Sequence, residues 1–198
     1  MSILQGLARL WRVDDGLPKQ TDLIVLVSFG ASSAGLSKAS QRALDRVLEL
    51  KKKYPDARVV FGSFAFNPDP AIEVNEKMLA IPDAIYAGSV ASTIEEAEKI
   101  KTNLLFLPFT LQPRSIVVVT DDWHSRSAKF VWEKVWGNKN PRPTITFSTF
   151  EWPEDPDNPM IFQRKEYVWA SANIARHLFL LMPGGFKRMK RLKIRQPT

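Results

Sequence analysis

The fold is decided by one stretch of the chain, Ile116-Val117-Val118-Val119-Thr120-Asp121-Asp122-Trp123-His124-Ser125-Arg126. Its β-branched run predicts a buried strand, and the polar turn after it opens a segment with helical spacing. In open α/β proteins, ligands bind beyond the carboxyl ends of the strands, where such turns lie. The turn carries one of the two histidines of the chain. We therefore expect the chemistry of the protein to lie at this turn.

The composition is that of a globular protein and excludes several function classes. Of 198 residues, 44% are hydrophobic and 25% are charged, which argues against bulk disorder. No run approaches the roughly 18 apolar residues of a membrane-spanning helix, and we expect a cytoplasmic protein. Without cysteine, disulfides, thiolate catalysis and Cys-based zinc sites are excluded. Two histidines are too few for a polyhistidine metal centre, so we expect no metal site.

The net charge of +7 is concentrated at the C-terminal end. The last dozen positions contain no acidic residue and six basic ones, namely Lys187, Arg188, Lys190, Arg191, Lys193 and Arg195. The rest of the chain is nearly neutral, which argues against a broad nucleic-acid footprint on the folded surface. We expect an N-terminal segment at 1–19, one α/β domain at 20–183 and a basic tail at 184–198.

Apolar β-branched runs alternate with segments of helical periodicity. The runs predict strands at 22–29, 58–61, 84–87, 115–120 and 144–150. Helices are predicted between them, and Asp69 followed by Pro70 is a typical helix start. The last helix is expected to turn an apolar face inward, formed by Val168, Ala172, Ala175, Leu178 and Met182. The alternation predicts a Rossmann-like three-layer αβα sandwich with a mostly parallel sheet of about five strands.

Right-handed crossovers would bring the strand-to-helix loops 28–35, 63–67, 87–92 and 120–124 to one edge of the sheet. His124 and Arg126 are the candidate catalytic residues there. The dipole at a helix start keeps histidine neutral, so His124 can act as a general base or bond a ligand. The alternative is a histidine bonded to the backbone of the first turn. Both side chains can reach one site only if the helix begins after His124.

The loop at 28–35 is rich in small residues, and its Ser28, Gly30 and Ser32 can cradle a phosphate through backbone amides. It has neither the spacing of a dinucleotide fingerprint nor the lysine of a P-loop, so the sequence identifies no cofactor. A plain turn is the alternative reading. Arg42 either clamps a phosphate or carboxylate at this edge or is a solvated residue of a helix surface.

The remaining candidates surround the other loops. Ser92, Thr93 and Glu96 fit overlapping capping boxes, and the same hydroxyls and free amides suit an anionic ligand. Ser63 and Thr120 lie at the ends of predicted strands. Asp121 and Asp122 are most simply helix caps. Trp123 is the tryptophan placed to stack on a ligand.

Taken in order, these segments resemble the bacterial YdcF/SanA/ElyC-like domain family. The resemblance rests on Asp22-Leu23-Ile24-Val25 with Gly30, Arg42, Glu73 with Met78, Ser92-Thr93-Ile94-Glu95-Glu96-Ala97, Val119-Thr120, His124-Ser125-Arg126-Ser127-Ala128 and Glu166. It covers about 22–170 and implies a Rossmann-like fold, with Glu73 and Glu166 added to the site. It also implies a role in bacterial envelope or polysaccharide metabolism.

Three functional hypotheses remain open on the sequence. The first is a protein that binds a small anionic ligand, phosphorylated or nucleotide-like, and acts on it as a hydrolase or transferase through His124. The second is a non-catalytic module that docks to an anionic membrane, peripheral to the inner membrane, or to a partner through its basic tail. The third is a degenerate family member whose pocket is blocked by Phe64 and Phe66.

Overall fold

A computed structural model describes residues 3–13, 15–105, 112–137, 142–158 and 160–191 of the chain. It contains seven strands in the described residues: β1 (Leu23–Leu26), β2 (Ala31–Ser32), β3 (Gly35–Leu36), β4 (Arg58–Phe64), β5 (Ile85–Val90), β6 (Ser115–Asp121) and β7 (Thr144–Phe150). Five of them form one sheet in the order β5-β4-β1-β6-β7, in which every neighbouring pair is parallel. The short β2 and β3 pair separately as an antiparallel hairpin.

Helices flank the sheet, which confirms the predicted Rossmann-like three-layer architecture. They are α1 (Ile3–Trp11), α2 (Lys38–Lys53), α3 (Pro70–Ala80), α4 (Thr93–Leu105), α5 (Ser125–Trp136), α6 (Glu166–Leu181) and α7 (Gly185–Arg191). As predicted, Asp69 caps α3 by accepting from the amide of Ala71, with Pro70 in the first turn. No helix within the described ranges is long and apolar enough to cross a membrane.

The central strands are short apolar runs because both faces of the sheet are covered. All four residues of β1 are buried, and six of the seven in β6 are buried. The order of the strands reverses at β1, which pairs with β4 on one side and with β6 on the other. Such a reversal opens a crevice at the carboxyl edge, because the chain leaves the two neighbouring strands in opposite directions.

The inward face predicted for α6 is wrong. Ala172, Ala175, Leu178 and Met182 are exposed, and Leu178 keeps 56% of its surface accessible. The face that points inward carries Trp169, Ala170, Asn173 and Leu180 instead. The helix turns a different face inward from the predicted one because this face meets the polar edge of the sheet. There the indole of Trp169 and the amide of Asn173 find hydrogen-bond partners.

Residues of the N-terminal segment and of the basic tail pack on the α/β domain. In α1, the Nε1 of Trp11 donates to the carbonyl of Trp123 at 3.0 Å. In α7, Phe186 and Met189 pack against the core, and Lys190 pairs with Glu98 at 2.5 Å. Of the six basic residues of the tail, Lys193 and Arg195 lie outside the described residues.

A buried ion pair fixes α3 to the end of β4. The Nζ of Lys77 lies 2.6 Å from the Oε1 of Glu73, and both side chains are fully buried. Lys77 also donates to the carbonyl of Gly62 at 3.1 Å. Burial alone would raise the pKa of Glu73, but the charge of Lys77 and hydrogen bonds from Lys77, Ser28 and Phe64 hold it below its usual value. Glu73 is therefore an anion in the protein interior.

We expect Lys77→Met to lower the free energy of unfolding by about 3–5 kcal/mol, because it leaves the carboxylate of Glu73 buried without its counter-charge. The double variant Glu73→Gln/Lys77→Met should regain part of the loss. Urea unfolding of the three proteins measures this. The matched control is Lys99→Met, which breaks a pair of the same spacing with Glu95 that is more than a third exposed. Its cost should stay below about 1 kcal/mol. Equal losses in the two lysine variants would contradict the assignment.

Candidate functional site

A pocket of about 340 Å³ opens at the carboxyl edge of the sheet. Its walls come from the segments after four strands: Val27, Ser28 and Phe29 after β1, Phe64 and Phe66 at β4, Ala91 and Ser92 after β5, and His124 after β6. This is the convergence of loops that right-handed crossovers predict. The remaining wall is supplied by α6 and by the short 3-10 helix before it (Ile161–Gln163).

Five aromatic rings line the pocket. They are Phe29, Phe64, Phe66, Phe162 and Trp169. The rings of Phe162 and Trp169 stack with centroids 5.9 Å apart, and those of Phe64 and Phe66 lie 5.3 Å apart. The expectation that Phe64 and Phe66 block the pocket is wrong, since the two rings pack against each other and line the cavity. The pocket therefore has room and apolar walls for the body of a small molecule.

His124 lies at the polar end of this pocket, immediately before α5. It is 3% exposed, and its ring nitrogens bond to side chains rather than to the backbone. Nδ1 lies 2.8 Å from the Oδ1 of Asn173, and Nε2 lies 2.9 Å from the Oγ1 of Thr93. Burial and the positive charge of Arg176 lower the pKa of His124 to about 3. The imidazole is therefore neutral at physiological pH.

Arg176 brings a positive charge to the same end of the pocket. Its Nη1 lies 3.4 Å from the Nδ1 of His124. No carboxylate forms a salt bridge with Arg176 among the residues that the structure describes. Burial lowers the pKa of this guanidinium, and the charge of Asp121 opposes the shift. A partly buried cation without a paired anion is costly, so the position favours an anionic ligand.

The N-terminus of α4 faces the same space through Ser92 and Thr93. The first amides of a helix have no partner within the helix. Here the amide of Glu95 donates to the hydroxyl of Ser92, and the amide of Glu96 donates to its carbonyl. Within the described chain, the amides of Thr93 and Ile94 have no acceptor. Free amides at a helix start are donors suited to an anion.

Glu96 is a second acid at the pocket wall, 2% exposed. Its Oε1 accepts from the amide of Ser28 at 3.1 Å. Burial raises the pKa of Glu96 to about 8, more than the nearby Lys77 and the Ser28 amide lower it. At neutral pH the side chain is therefore mostly protonated. A neutral Glu96 can donate to a ligand and does not repel an anion.

Asp121 lies just behind the pocket and caps the start of α5. One oxygen, Oδ1, accepts from the amide of His124 at 3.0 Å and from the Nε1 of Trp169 at 3.0 Å. The other oxygen, Oδ2, has no partner among the described residues. Burial raises the pKa of Asp121 to about 7 in spite of these donors. The carboxyl group thus positions both His124 and a pocket ring.

No protein-family model and no curated protein matches the chain. The function must therefore be argued from the residues of the site.

Five of the predicted site residues line the pocket: Ser28, Ser92, Thr93, Glu96 and His124. Glu73 lies directly below them, because its Oε1 accepts from the hydroxyl of Ser28 at 2.5 Å. These residues come from four elements that are far apart in sequence. The structure brings them together at one edge of the sheet.

Arg126 does not point into this pocket. The helix begins at Ser125, after His124, so the first condition for a shared site is met. Even so, Arg126 donates to the carbonyls of Leu10 and Trp11, and its guanidinium lies over the ring of Trp11. Its contacts dock α1 onto α5. The cation in the pocket comes from Arg176 instead.

The phosphate cradle expected at 28–35 is not formed as a loop of free amides. The segment folds into the β2–β3 hairpin, the amide of Ala31 donates to the Oδ1 of Asn67, and Ser32 accepts from the amide of Ala34. Gly30 has φ 89°, and a Cβ there would lie 2.8 Å from the same Asn67 oxygen. The turn thus requires a glycine at position 30. Of the segment 28–35, Ser28 and Phe29 are the residues that line the pocket.

The other predicted residues lie outside the pocket lining. Trp123 is buried and donates through Nε1 to Glu166 at 3.1 Å, and neither residue lines the pocket. Ser63 bonds to the hydroxyl of Tyr86 at 2.7 Å. Thr120 is fully buried in β6, and Arg42 is exposed on α2.

Sequence reasoning missed three residues of the candidate site on α6, namely Trp169, Asn173 and Arg176. They are spaced by four and three residues, so they share one face of the helix. The sequence signal for this part of the site was an aromatic ring, an amide and a guanidinium at that spacing within an apolar helix. It was obscured by the more regular apolar stripe that the structure places in solvent.

The raised pKa of Glu96 has a consequence for stability. The unfolded chain loses this proton near its ordinary value of 4.5, whereas the folded protein keeps it up to about pH 8. The stability supplied by the protonated side chain is therefore fully present below about pH 4.5 and lost as the pH rises to about 8. We expect Glu96→Gln to remove this loss, so that its unfolding free energy gains on that of wild type between pH 5 and 8.

Urea unfolding at several pH values within this range measures the difference between the two proteins. Asp121 contributes a similar slope in both, so only the difference reports on Glu96. Glu76→Gln, at an exposed position of α3, is the control and should follow wild type. A constant difference between Glu96→Gln and wild type over the whole range would refute the assignment.

Proposed function

We propose that the protein binds a small anionic ligand, phosphorylated or nucleotide-like, in the pocket at the carboxyl edge of the sheet. The observation that carries the proposal is the guanidinium of Arg176, which reaches the pocket without a paired carboxylate among the described residues. The start of α4, where the amides of Thr93 and Ile94 have no acceptor among the described residues, lies at the same end. The three groups form a positive site for a phosphate or carboxylate.

The rest of the pocket suits the remainder of such a ligand. Its aromatic walls offer flat surfaces on which a base or another planar apolar group can stack. Glu96 adds a donor that is neutral near pH 7. The geometry thus separates an anionic head site from an apolar body site, and it favours amphipathic anions over free phosphate.

We further propose that the chain is a YdcF-like protein of bacterial envelope or polysaccharide metabolism. The support is that Glu73, Glu96 and His124, three of the residues that carry the resemblance, lie within one set of contacts at the sheet edge. A hydrolase or transferase reaction would use His124, whose neutral imidazole is the basic group of the pocket. Turnover of a phosphorylated compound that depends on His124 would support this role.

We expect Arg176→Met to weaken the binding of adenosine monophosphate by about tenfold or more, since a hydrogen bond to a charged group contributes about 1.5–3 kcal/mol. Isothermal titration measures the affinity. Wild type should bind inorganic phosphate more weakly than the nucleotide, because phosphate makes no contact with the aromatic walls. Arg42→Met, an exposed cation on α2, is the control and should bind like wild type. Unchanged affinity in Arg176→Met would reject the anion site.

A second candidate function is docking to an anionic membrane surface. The specific observation is that α1 exposes large apolar side chains, with Ile3 85%, Leu10 79% and Leu7 49% accessible. Arg9 lies on the same helix, and Lys187, Arg188 and Arg191 are exposed on α7. An exposed apolar stripe and a basic residue on one helix are features of helices that lie in a bilayer interface, and exposed basic residues elsewhere on the protein add attraction to anionic lipids.

We expect the double variant Ile3→Glu/Leu10→Glu to lose co-sedimentation with vesicles of anionic phosphatidylglycerol. Wild type should bind them and should not bind zwitterionic phosphatidylcholine vesicles, since the basic residues need an anionic partner. Leu79→Glu is the matched control, because Leu79 is 85% exposed on α3, away from α1. Equal sedimentation of the double variant and wild type would remove this candidate.

A further inference from the structure

Three side chains at the polar end of the pocket form a continuous hydrogen-bonded chain, from Thr93 through His124 to Asn173. The two distances are 2.9 Å from Thr93 Oγ1 to His124 Nε2 and 2.8 Å from His124 Nδ1 to Asn173 Oδ1. The amide nitrogen of Asn173 donates to the carbonyl of Trp169 at 2.9 Å. That bond leaves the amide oxygen of Asn173 facing the histidine.

The direction of the protons follows from this orientation. An amide oxygen accepts, so Nδ1 of His124 carries the proton and donates it to Asn173. In a neutral imidazole the other nitrogen, Nε2, is then an acceptor. The hydroxyl of Thr93 must donate to it. The hydroxyl of Thr93 therefore donates to Nε2 of His124, and Asn173 holds the other ring nitrogen of the histidine.

Thr93 is also placed where a hydroxyl is easily activated. It is the first residue of α4, at a sharp turn after the parallel strand β5, and it lines the pocket. The positive end of the helix dipole favours negative charge at this position. The amide of Ile94, the residue after Thr93, has no acceptor among the described residues. Serine nucleophiles of α/β-hydrolases occupy a comparable strand-turn-helix position, with the next amide as an oxyanion donor.

We propose that Thr93 is the nucleophile of an acyl-transfer reaction on a carboxylic ester that also carries an anionic group, with His124 as the base and Asn173 as the positioning residue. The proposal rests on the proposed function, since Arg176 is taken to hold the anionic group of the substrate. A nucleophile, a base within hydrogen-bond distance and an orienting third group is the arrangement required for covalent catalysis by a hydroxyl.

The first half of the reaction forms an acyl-enzyme. The Oγ1 of Thr93 forms a bond to the carbonyl carbon of the ester, and its proton passes to Nε2 of His124. The negative charge that develops on the carbonyl oxygen is stabilised by the free amide of Ile94. The bond from the carbon to the leaving oxygen then breaks, and the leaving alcohol takes the proton from His124.

Water completes the cycle. It attacks the carbonyl carbon of the acyl-Thr93 ester and gives its proton to Nε2 of His124. The bond to Oγ1 breaks, the proton returns to Thr93, and the free acid is released. His124 is the base in both acylation and deacylation, and the reaction consumes no oxidant, reductant or metal ion.

The position of Arg176 links substrate charge to the strength of the base. Besides burial, the charge of Arg176 is what lowers the pKa of His124. An anion bound to the guanidinium would offset this charge, so the imidazole would gain basicity only when an anionic substrate is in place. Anionic esters should therefore acylate the protein faster than neutral esters of the same length.

The test uses 4-nitrophenyl hemisuccinate, which is anionic, and 4-nitrophenyl butyrate, a neutral ester with the same chain length. With the full chain we expect a burst of one nitrophenolate per protein and the mass of one succinyl group on the peptide that contains Thr93. Thr93→Ser should keep both signals. Thr93→Val, which has the same shape without the hydroxyl, should slow the burst on the order of a thousandfold or more.

Folding of Thr93→Val is checked by its melting temperature and by its binding of inorganic phosphate, which the anion site should retain. A succinyl group on another residue, or an unchanged burst in Thr93→Val, would overturn the proposal. Asn173→Asp separates positioning from a structural role. Its carboxylate would favour the imidazolium, so its acylation rate should fall between pH 7 and pH 5, whereas that of wild type stays flat.

The same experiment distinguishes failure of the nucleophile from failure of the anion site. If Arg176 governs the binding of inorganic phosphate and no acyl adduct forms, the nucleophile is rejected and the anion site stands. If both esters acylate Thr93 at equal rates and Arg176→Met changes neither, the anion site is rejected and the nucleophile stands.

Discussion

The carboxylate of Glu73 is the interaction on which the edge of the sheet depends. It accepts from the hydroxyl of Ser28 after β1, from the amide of Phe64 at the end of β4, from Asn67 in the following loop and from Lys77 one turn along α3. The segment after β1 and the segment from the end of β4 to α3 thus meet at two oxygens. A charge buried at this depth is tolerable only because every one of these donors is present.

The position of Glu73 has a direct effect on the pocket above it. Glu73 accepts from Ser28 and Phe64 and so positions two walls of the pocket. Asn67, which also donates to Glu73, accepts from the amide of Ala31 and so positions the β2–β3 hairpin. The negative charge of Glu73 also raises the pKa of Glu96, which burial already keeps high. An ionised Glu73 therefore favours a protonated Glu96. The floor of the pocket carries the negative charge, and the pocket wall stays neutral toward an anion.

The fold was accessible from the sequence because its signals are local. The β-branched runs of β1 and β6, the Asp69-Pro70 helix start and the turn before His124 each follow from a few neighbouring residues. The sheet order then follows from the alternation of elements and the handedness of crossovers. Of the five predicted residues that line the pocket, Ser28 follows β1 and His124 lies in that turn, whereas Ser92, Thr93 and Glu96 belong to the capping boxes at the start of α4.

The rest of the site was not accessible, because side-chain direction at the start of a helix is set by distant partners. His124 and Arg126 are two residues apart, yet one bonds to Thr93 and Asn173 and the other to carbonyls of α1. Nothing in the local sequence says that α1 will supply those carbonyls. Likewise, the apolar stripe of α6 suggested an inward face, and the helix is turned by the hydrogen bonds of Trp169 and Asn173.

These same distant partners position the groups at the polar end of the pocket. Asp121 fixes the backbone of His124 and the ring of Trp169, while Asn173 fixes the imidazole. Only Arg176 is left with a weak contact, a nitrogen 3.4 Å away that is itself a donor to Asn173. Two donors facing each other gain little. Arg176 is thus a cation of the pocket lining that forms no salt bridge with the described residues, and the anionic ligand proposed for the pocket would pair with it.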